Sequence, residues 1–198
     1  MNIGYDAKRM FHNSSGLGNY SRTMLKIIAS TCINFKLNLY TTKLKKQEDL
    51  SFIESNNNIS IKTPSSTLAK LLPFLWRSFL VSKQAKKQAI EIYHGLSNEL
   101  PFGLKKNGIK SVVTIHDLIF LRAPEQYALI DRIIYNFKSK YACKNADKII
   151  AISEQTKSDI IHFYGIDPKK IEIIYQTCHQ AFKKEASKSL KNSIKEKY

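Results

Sequence analysis

Ile109-Lys110-Ser111-Val112-Val113-Thr114-Ile115-His116-Asp117 is the stretch on which the fold turns. Isoleucine, valine and threonine are branched at Cβ, and their restricted rotamers suit extended backbone. Ile109 to Ile115 therefore reads as a strand centred on Val112 and Val113, ending at His116-Asp117. On its carboxyl side, Gln126 to Ala142 reads as a long helix, with Ile130, Ile133, Ile134, Phe137 and Tyr141 at helical spacing. Lys148 to Ile152 is a further buried strand. Ser153 then caps a helix that runs through Phe163 and stops at Gly165. Asp167-Pro168 opens a short helical turn, and Ile171 to Tyr175 is the last strand.

The same alternation holds on the amino side. Glu91 to His94 is a short strand running into Gly95, Ile59 to Ile61 another, and Phe35 to Tyr40 alternates apolar and polar residues. Ile3 to Ala7 reads as the first strand and Leu17 to Ala29 as an amphipathic helix. Leu68 to Ile90 reads as helical, with Pro73 beginning the main helix or kinking it. Short apolar runs separated by longer amphipathic ones predict βαβ units. The expected class is α/β, a Rossmann-like, mostly parallel sheet with helices on both faces.

At 198 residues the chain suits one α/β domain. Its 43% hydrophobic and 24% charged residues are ordinary for a globular protein. The opening meets Asp6, Lys8 and Arg9 before any long apolar run, so no signal peptide is read, and no segment reaches the roughly 18 apolar residues of a membrane span. Cys32, Cys143 and Cys178 are an odd, scattered set that favours a reduced cytoplasm. Charge is the outlier: 32 Lys and Arg against 16 Asp and Glu give +16. Such a surface favours an anionic partner, whether nucleic acid, acidic lipid or phosphorylated substrate. A Lys-rich surface from an AT-rich genome explains it equally well.

Ligands of open parallel sheets bind at the carboxyl ends of the strands. Four places of chemical interest fall there: Gly16-Leu17-Gly18, His94, His116-Asp117 and Ser153-Glu154. Gly16 and Gly18, opening a helix, can bring bare backbone N–H groups to a phosphate, or can simply make a tight turn. The third glycine of the dinucleotide fingerprint is replaced by Ser21. His116 can contact a substrate hydroxyl or phosphate, and Asp117 can act as base or cap the next segment. His94 and Ser153 have structural readings as buried ring and helix cap. No nucleophile triad, HExxH or P-loop lysine motif is present. Between Leu71 and Lys87, an apolar set with Trp76 is followed by Lys83, Lys86 and Lys87. That pattern suits either an interfacial membrane helix or a core helix with a solvated basic end.

In order along the chain, Gly16-Leu17-Gly18-Asn19-Tyr20-Ser21-Arg22, Tyr93-His94-Gly95-Leu96-Ser97-Asn98-Glu99-Leu100-Pro101, Val112 to Leu118, Ala146 to Glu154 and Lys170 to Tyr175 form a set. Read together they resemble the N-terminal domain of retaining GT-B glycosyltransferases of family 4. The nearest in flavour are the bacterial mannosyltransferase-like enzymes of O-antigen and capsule assembly. The resemblance runs from Met1 to about Phe182. It implies a Rossmann-like acceptor-binding domain over residues 1–182, with 183–198 as a polar linker into a nucleotide-sugar domain that this chain lacks.

The implied function is transfer of a hexosyl unit, with mannosyl as one candidate, from a nucleotide-sugar to a lipid-linked or polysaccharide acceptor. By resemblance Gly16, Leu17 and Gly18 face the donor phosphate, and His116 sits at the reaction centre with Asp117 positioning it. His94, Asn98 and Ser153 are then acceptor or supporting residues. The nucleotide-sugar is a substrate, and no metal or other cofactor is expected. Trp76, Lys83, Lys86 and Lys87 would dock the enzyme peripherally on the inner, anionic face of the plasma membrane. The domain alone should be inactive. Tyr175-Gln176-Thr177-Cys178 departs from the Asn-Gly that relatives often carry after this strand. The rival readings are a basic nucleic-acid-binding module, disfavoured because the aromatics sit at core-like spacing, and a non-catalytic binding or scaffold domain.

Overall fold

The seven apolar runs become seven strands in a computed structural model that describes residues 1–44, 50–64, 67–178 and 185–197. The strands are β1 (Asn2–Asp6), β2 (Lys36–Tyr40), β3 (Ile59–Lys62), β4 (Ile92–Gly95), β5 (Lys110–Ile115), β6 (Lys148–Ala151) and β7 (Ile171–Ile173). They form one sheet in the order β3-β2-β1-β4-β5-β6-β7, and every neighbouring pair is parallel. Each is within two residues of its sequence expectation at either end. The order reverses between β1 and β4, the switch point at which open α/β sheets leave a crevice.

The helices are α1 (Lys8–His12), α2 (Gly16–Thr31), α3 (Ser51–Glu54), α4 (Thr67–Leu71), α5 (Pro73–Leu75), α6 (Val81–Lys87), α7 (Ile119–Arg122), α8 (Leu129–Asn145), α9 (Glu154–Tyr164) and α10 (Lys188–Lys197). Side chains of a strand alternate between faces. One face turns Ile3, Tyr5, Leu37 and Leu39 against Met10 and Phe11 of α1 and Leu25 of α2. The other turns Tyr93, Val113, Ile115 and Ile149 against Val81 and Ala85 of α6, Cys143 of α8 and Ile160 of α9. Helices therefore cover both faces, as expected. Each fully buried side chain of this size contributes roughly 1.5–3 kcal/mol. Among the described residues no helix is long and apolar enough to cross a membrane.

Two sequence expectations change. The helix over 68–90 is three pieces: α4, a break at Leu72 with Pro73 at the first position of α5, and a π-helical turn at Trp76–Leu80 that leads into α6. The wider turn shifts the helical phase. Trp76 consequently points inward, 2% exposed, with its indole N–H on Gln84 Oε1 at 2.9 Å. It is a core residue, which corrects its assignment to membrane docking. Lys83, Lys86 and Lys87 are exposed. On α8 the buried residues are Ser139, Ala142 and Cys143, whereas Ile130, Ile133, Ile134 and Phe137 lie in solvent. The apolar stripe found by its spacing faces away from the sheet. The predicted domain boundary at 182/183 lies outside the described residues, and the polar segment beyond it contains α10.

Candidate functional site

The carboxyl ends of β1, β4 and β5 lie side by side at the switch point. After β1, helix α1 and a short loop deliver Gly16 as the first residue of α2. The loop is held by Arg22, whose guanidinium donates to the Met10 and Asn13 carbonyls and to Asn19 Oδ1. Asn13 Oδ1 accepts from both the Ser15 amide and the Ser15 hydroxyl. The two glycines differ. A Cβ on Gly18 would lie 1.8 Å from the Asn13 carbonyl oxygen, so only glycine fits there. A Cβ on Gly16 would meet nothing within 4 Å. Ser15 makes no side-chain bond to the helix, and the first turn of α2 contains no acidic residue. The first-turn N–H groups point outward from the helix end without an intrahelical partner. Leu17 is half-buried, and its carbonyl accepts from the Ser21 hydroxyl.

Behind α2, the site is a chain of hydrogen bonds. The Tyr20 hydroxyl meets Thr114 Oγ1 at 3.1 Å, and Thr114 Oγ1 meets His94 Nε2 at 2.9 Å. Burial pushes the His94 ring down to about 3, so it is neutral near pH 7. The edge of one ring meets the face of the other where Tyr20 packs on His116, with centroids 4.7 Å apart.

His116 is held at four points. Its backbone N–H donates to Asn98 Oδ1 at 2.8 Å and its carbonyl accepts from Thr156 Oγ1 at 2.9 Å. Its Nε2 lies 2.9 Å from the Leu96 carbonyl, which can only accept, so Nε2 carries the ring proton. Nδ1 is then the acceptor, and Gln176 Nε2 donates to it at 2.9 Å. Burial lowers the His116 pKa, an effect the Leu96 carbonyl and the Asp117 charge only partly oppose.

The supporting residues take definite places. Asn98 sits at φ 57, a left-handed conformation that asparagine tolerates. Its side chain bridges the His116 amide and the Asp117 carbonyl. Asp117 Oδ1 accepts from the Ile119 N–H at 3.3 Å, two residues on at the start of α7. The positioning of His116 that the sequence assigned to Asp117 is carried instead by Asn98, Leu96 and Thr156. Ser153 caps α9, accepting from the Thr156 amide at 3.1 Å, and through Thr156 supports the His116 carbonyl. Trp76, Lys83, Lys86 and Lys87 do not line the cleft.

Between α2, the sheet and the segment after β7 lies a cleft of ≈ 860 Å³. Gly16, Asn19, Tyr20, His94 and Gln176 line its polar parts; Ile92, Val112 and Ile150 are among the apolar side chains of its floor. Sequence reasoning missed Gln176, Tyr20 and Thr114. The signal for Thr114 was available, since it shares the strand face of His94's neighbour Val112 two residues on. Gln176 follows a strand and carried no motif. Also missed was a buried ion cluster: the Arg77 guanidinium binds Asp6, the last residue of β1, and Glu99, and Lys138 of α8 reaches Glu99 at 3.2 Å. Burial works against the charge on Arg77, but the two carboxylates more than restore it. Glu99 is likewise held ionised against its burial by Arg77 and Lys138. Among the described residues no three His, Cys, Asp or Glu side chains cluster to hold a metal ion.

This sheet order, with α2 starting uncapped at Gly16 and a histidine held at four points just past the end of β5, agrees with the sequence comparison. The family described as Glycosyltransferase Family 4 matches residues 39–178. The chain belongs to glycosyltransferase family 4. No curated protein sequence matches it. Among solved structures it is similar to Anabaena HepE in complex with UDP-glucose, at 15% identity and a TM-score of 0.60, over 100% of this chain and 49% of that one. HepE in complex with UDP and glucose gives 14%, 0.56, 99% and 49%. A glycosyltransferase from Rickettsia africae gives 14%, 0.53, 98% and 48%. At these identities the likeness shows the fold, that of GT-B glycosyltransferases. The family 4 chain thus spans about half the length of the solved structures it matches.

Proposed function

We propose that this family 4 domain is the acceptor-side half of a retaining glycosyltransferase that moves a hexosyl unit, mannosyl in the first instance, from a nucleotide-sugar to a lipid-linked or polysaccharide acceptor. The observation that carries the reading is that Gly16, at the uncapped start of α2, lines the same cleft as Tyr20 and Gln176, the two side chains that pack on and donate to the ring of His116. Complexes of HepE with UDP and UDP-glucose support a nucleotide-sugar donor. The donor diphosphate, presented by a second domain, approaches the N–H groups of Gly16 and Leu17, where the helix end favours negative charge. His116 keeps Nε2–H on the Leu96 carbonyl and offers Nδ1 as an acceptor. A sugar hydroxyl that displaces the Gln176 amide donates to that nitrogen and orients the ring. The bond from the anomeric carbon to the phosphate oxygen breaks, and the bond to the acceptor oxygen forms on the same face. The acceptor's proton passes to the leaving phosphate, so Asp117 is not needed as base.

The test uses the protein in which residues 1–198 are joined to a donor-binding domain. Transfer from nucleotide-hexoses is followed with lipid-linked and polysaccharide acceptors, and the product anomer is read by NMR. His116→Ala is expected to lower kcat by about 100-fold or more, and Gln176→Ala to change KM more than kcat. Inversion of the anomer would overturn the retaining mechanism, and full transfer by residues 1–198 alone would overturn the two-domain reading.

A further inference from the structure

The hydrogen bonds that hold His116 come from Leu96, Asn98, Thr156 and Gln176, all outside α2. Gly16, which the donor diphosphate approaches in the reading above, is the first residue of α2. The two parts of the site thus stand on different elements, and their spacing must be set by a contact between those elements. Tyr20 makes one. It lies four residues past Gly16, about one turn on along the same face of α2, and it lines the cleft. Its ring stands at 90° to the His116 ring, with centroids 4.7 Å apart.

The hydroxyl end of Tyr20 is anchored in the sheet. Its partner Thr114 belongs to β5, two residues before His116, and has no exposed surface. Thr114 Oγ1 also bonds His94 Nε2 on β4 at 2.9 Å. A hydroxyl has one proton to give and two lone pairs, so Thr114 serves both neighbours at once. The buried His94 ring lies 5.8 Å from the Tyr5 ring of β1. No step of the transfer uses His94. A neutral imidazole there gives Thr114 a partner inside the fold without burying a charge. The chain Tyr20–Thr114–His94 therefore joins α2 to two adjacent strands, and a buried chain of this kind is costly to leave half made.

We propose that Tyr20 is a positioning residue, whose ring fixes the His116 imidazole while its hydroxyl, through Thr114 and His94, ties the first turns of α2 to the strand that leads into His116. One side chain then sets the spacing between the Gly16 amide and the reacting ring. A displacement of about 1 Å at such a centre costs about 100-fold in rate. That the spacing governs transfer rests on the glycosyltransferase reading; that Tyr20 fixes the ring does not.

The experiment has two arms. In the first, this chain is isotope-labelled at histidine and the His116 ring protons are followed by NMR without any nucleotide-sugar. A neighbouring aromatic ring shifts such protons through its ring current. Tyr20→Phe, which keeps the ring, is expected to keep the His116 shifts; Tyr20→Leu is expected to move them toward those of a free imidazole. Circular dichroism and the melting temperature are read on each variant, and Tyr20→Met replaces Tyr20→Leu if the latter does not fold. In the second arm, the same variants are measured in the protein joined to a donor-binding domain. Tyr20→Leu is expected to lower kcat about 100-fold with donor KM within about twofold of the parent. Tyr20→Phe should rescue most of that loss and stay within about tenfold of the parent. His116 shifts unchanged in a folded Tyr20→Leu or Tyr20→Met overturn the proposal. So does a loss confined to donor KM, the result of a merely weakened helix, and so do equal kcat losses in Tyr20→Phe and Tyr20→Leu. If the parent transfers no sugar, the glycosyltransferase reading fails, and the first arm alone decides whether Tyr20 fixes His116.

Discussion

An alanine at Gly18 would press its Cβ to 1.8 Å from the Asn13 carbonyl oxygen, whereas an alanine at Gly16 meets open space. Gly18→Ala should therefore destabilise the domain by about 2–3 kcal/mol as the α1–α2 loop gives way. Gly16→Ala should leave stability unchanged or raise it by up to about 1 kcal/mol, yet weaken donor use about tenfold or more in the complete enzyme. Chemical denaturation and transfer kinetics on the two variants separate the roles. The sequence showed a Gly-x-Gly pair at a helix start, which was enough to place the site. It could not divide the pair, because the carbonyl that excludes a side chain from Gly18 comes from a loop with no recognisable pattern. His116 was likewise legible as a residue at a strand end, and Asn98 only through the family resemblance. Gln176 was not, since its contact with His116 depends on the path of the chain after β7.

The two buried imidazoles also set a pH dependence. His94 is pushed down to about 3 and His116 is lowered too, both first by burial. In the unfolded chain both rings protonate near about 6.5. As pH falls the unfolded state takes up these protons first, so stability is full above about 6.5 and is lost toward 3. The melting temperature should fall across that window, and His94→Gln, which retains a partner for Thr114, should flatten the slope.

At the scale of elements, the ion cluster is the feature whose removal has the clearest cost. Arg77→Met leaves Asp6 and Glu99 without the guanidinium that both bind, and should lose about 3–5 kcal/mol in urea unfolding. Adding Asp6→Asn should recover part of it. Strands were read almost to the residue because branched, apolar runs report burial on both sides. Helix faces were not. Apolar spacing on α8 revealed a stripe but not what it faces; the core side is the small set Ser139, Ala142 and Cys143, which lets the helix sit close to the sheet. In 68–90 the break at Leu72 and the π-helical turn rotate Trp76 inward, and no single helical period carried through that segment could place it.

Over the whole molecule, the excess of +16 works against compactness, since like charges repel across the surface. Added salt screens this repulsion over about 10 Å at 0.1 M. The melting temperature of the chain should therefore rise by a few degrees from low to moderate ionic strength.

β1 lies in the middle of the sheet, and its two neighbours come from very different distances along the chain. Ile3 pairs with Leu37 on one side and with Ile92 on the other. During synthesis β1 is made well before β4 and keeps one edge open until β4 follows. At about 5–20 residues per second that is an interval of roughly 5–20 s. An unpaired edge of this kind invites strand-to-strand aggregation. The residue order that places the cleft at the β1–β4 junction thus also makes the nascent chain dependent on protection while its second and third strands are being made.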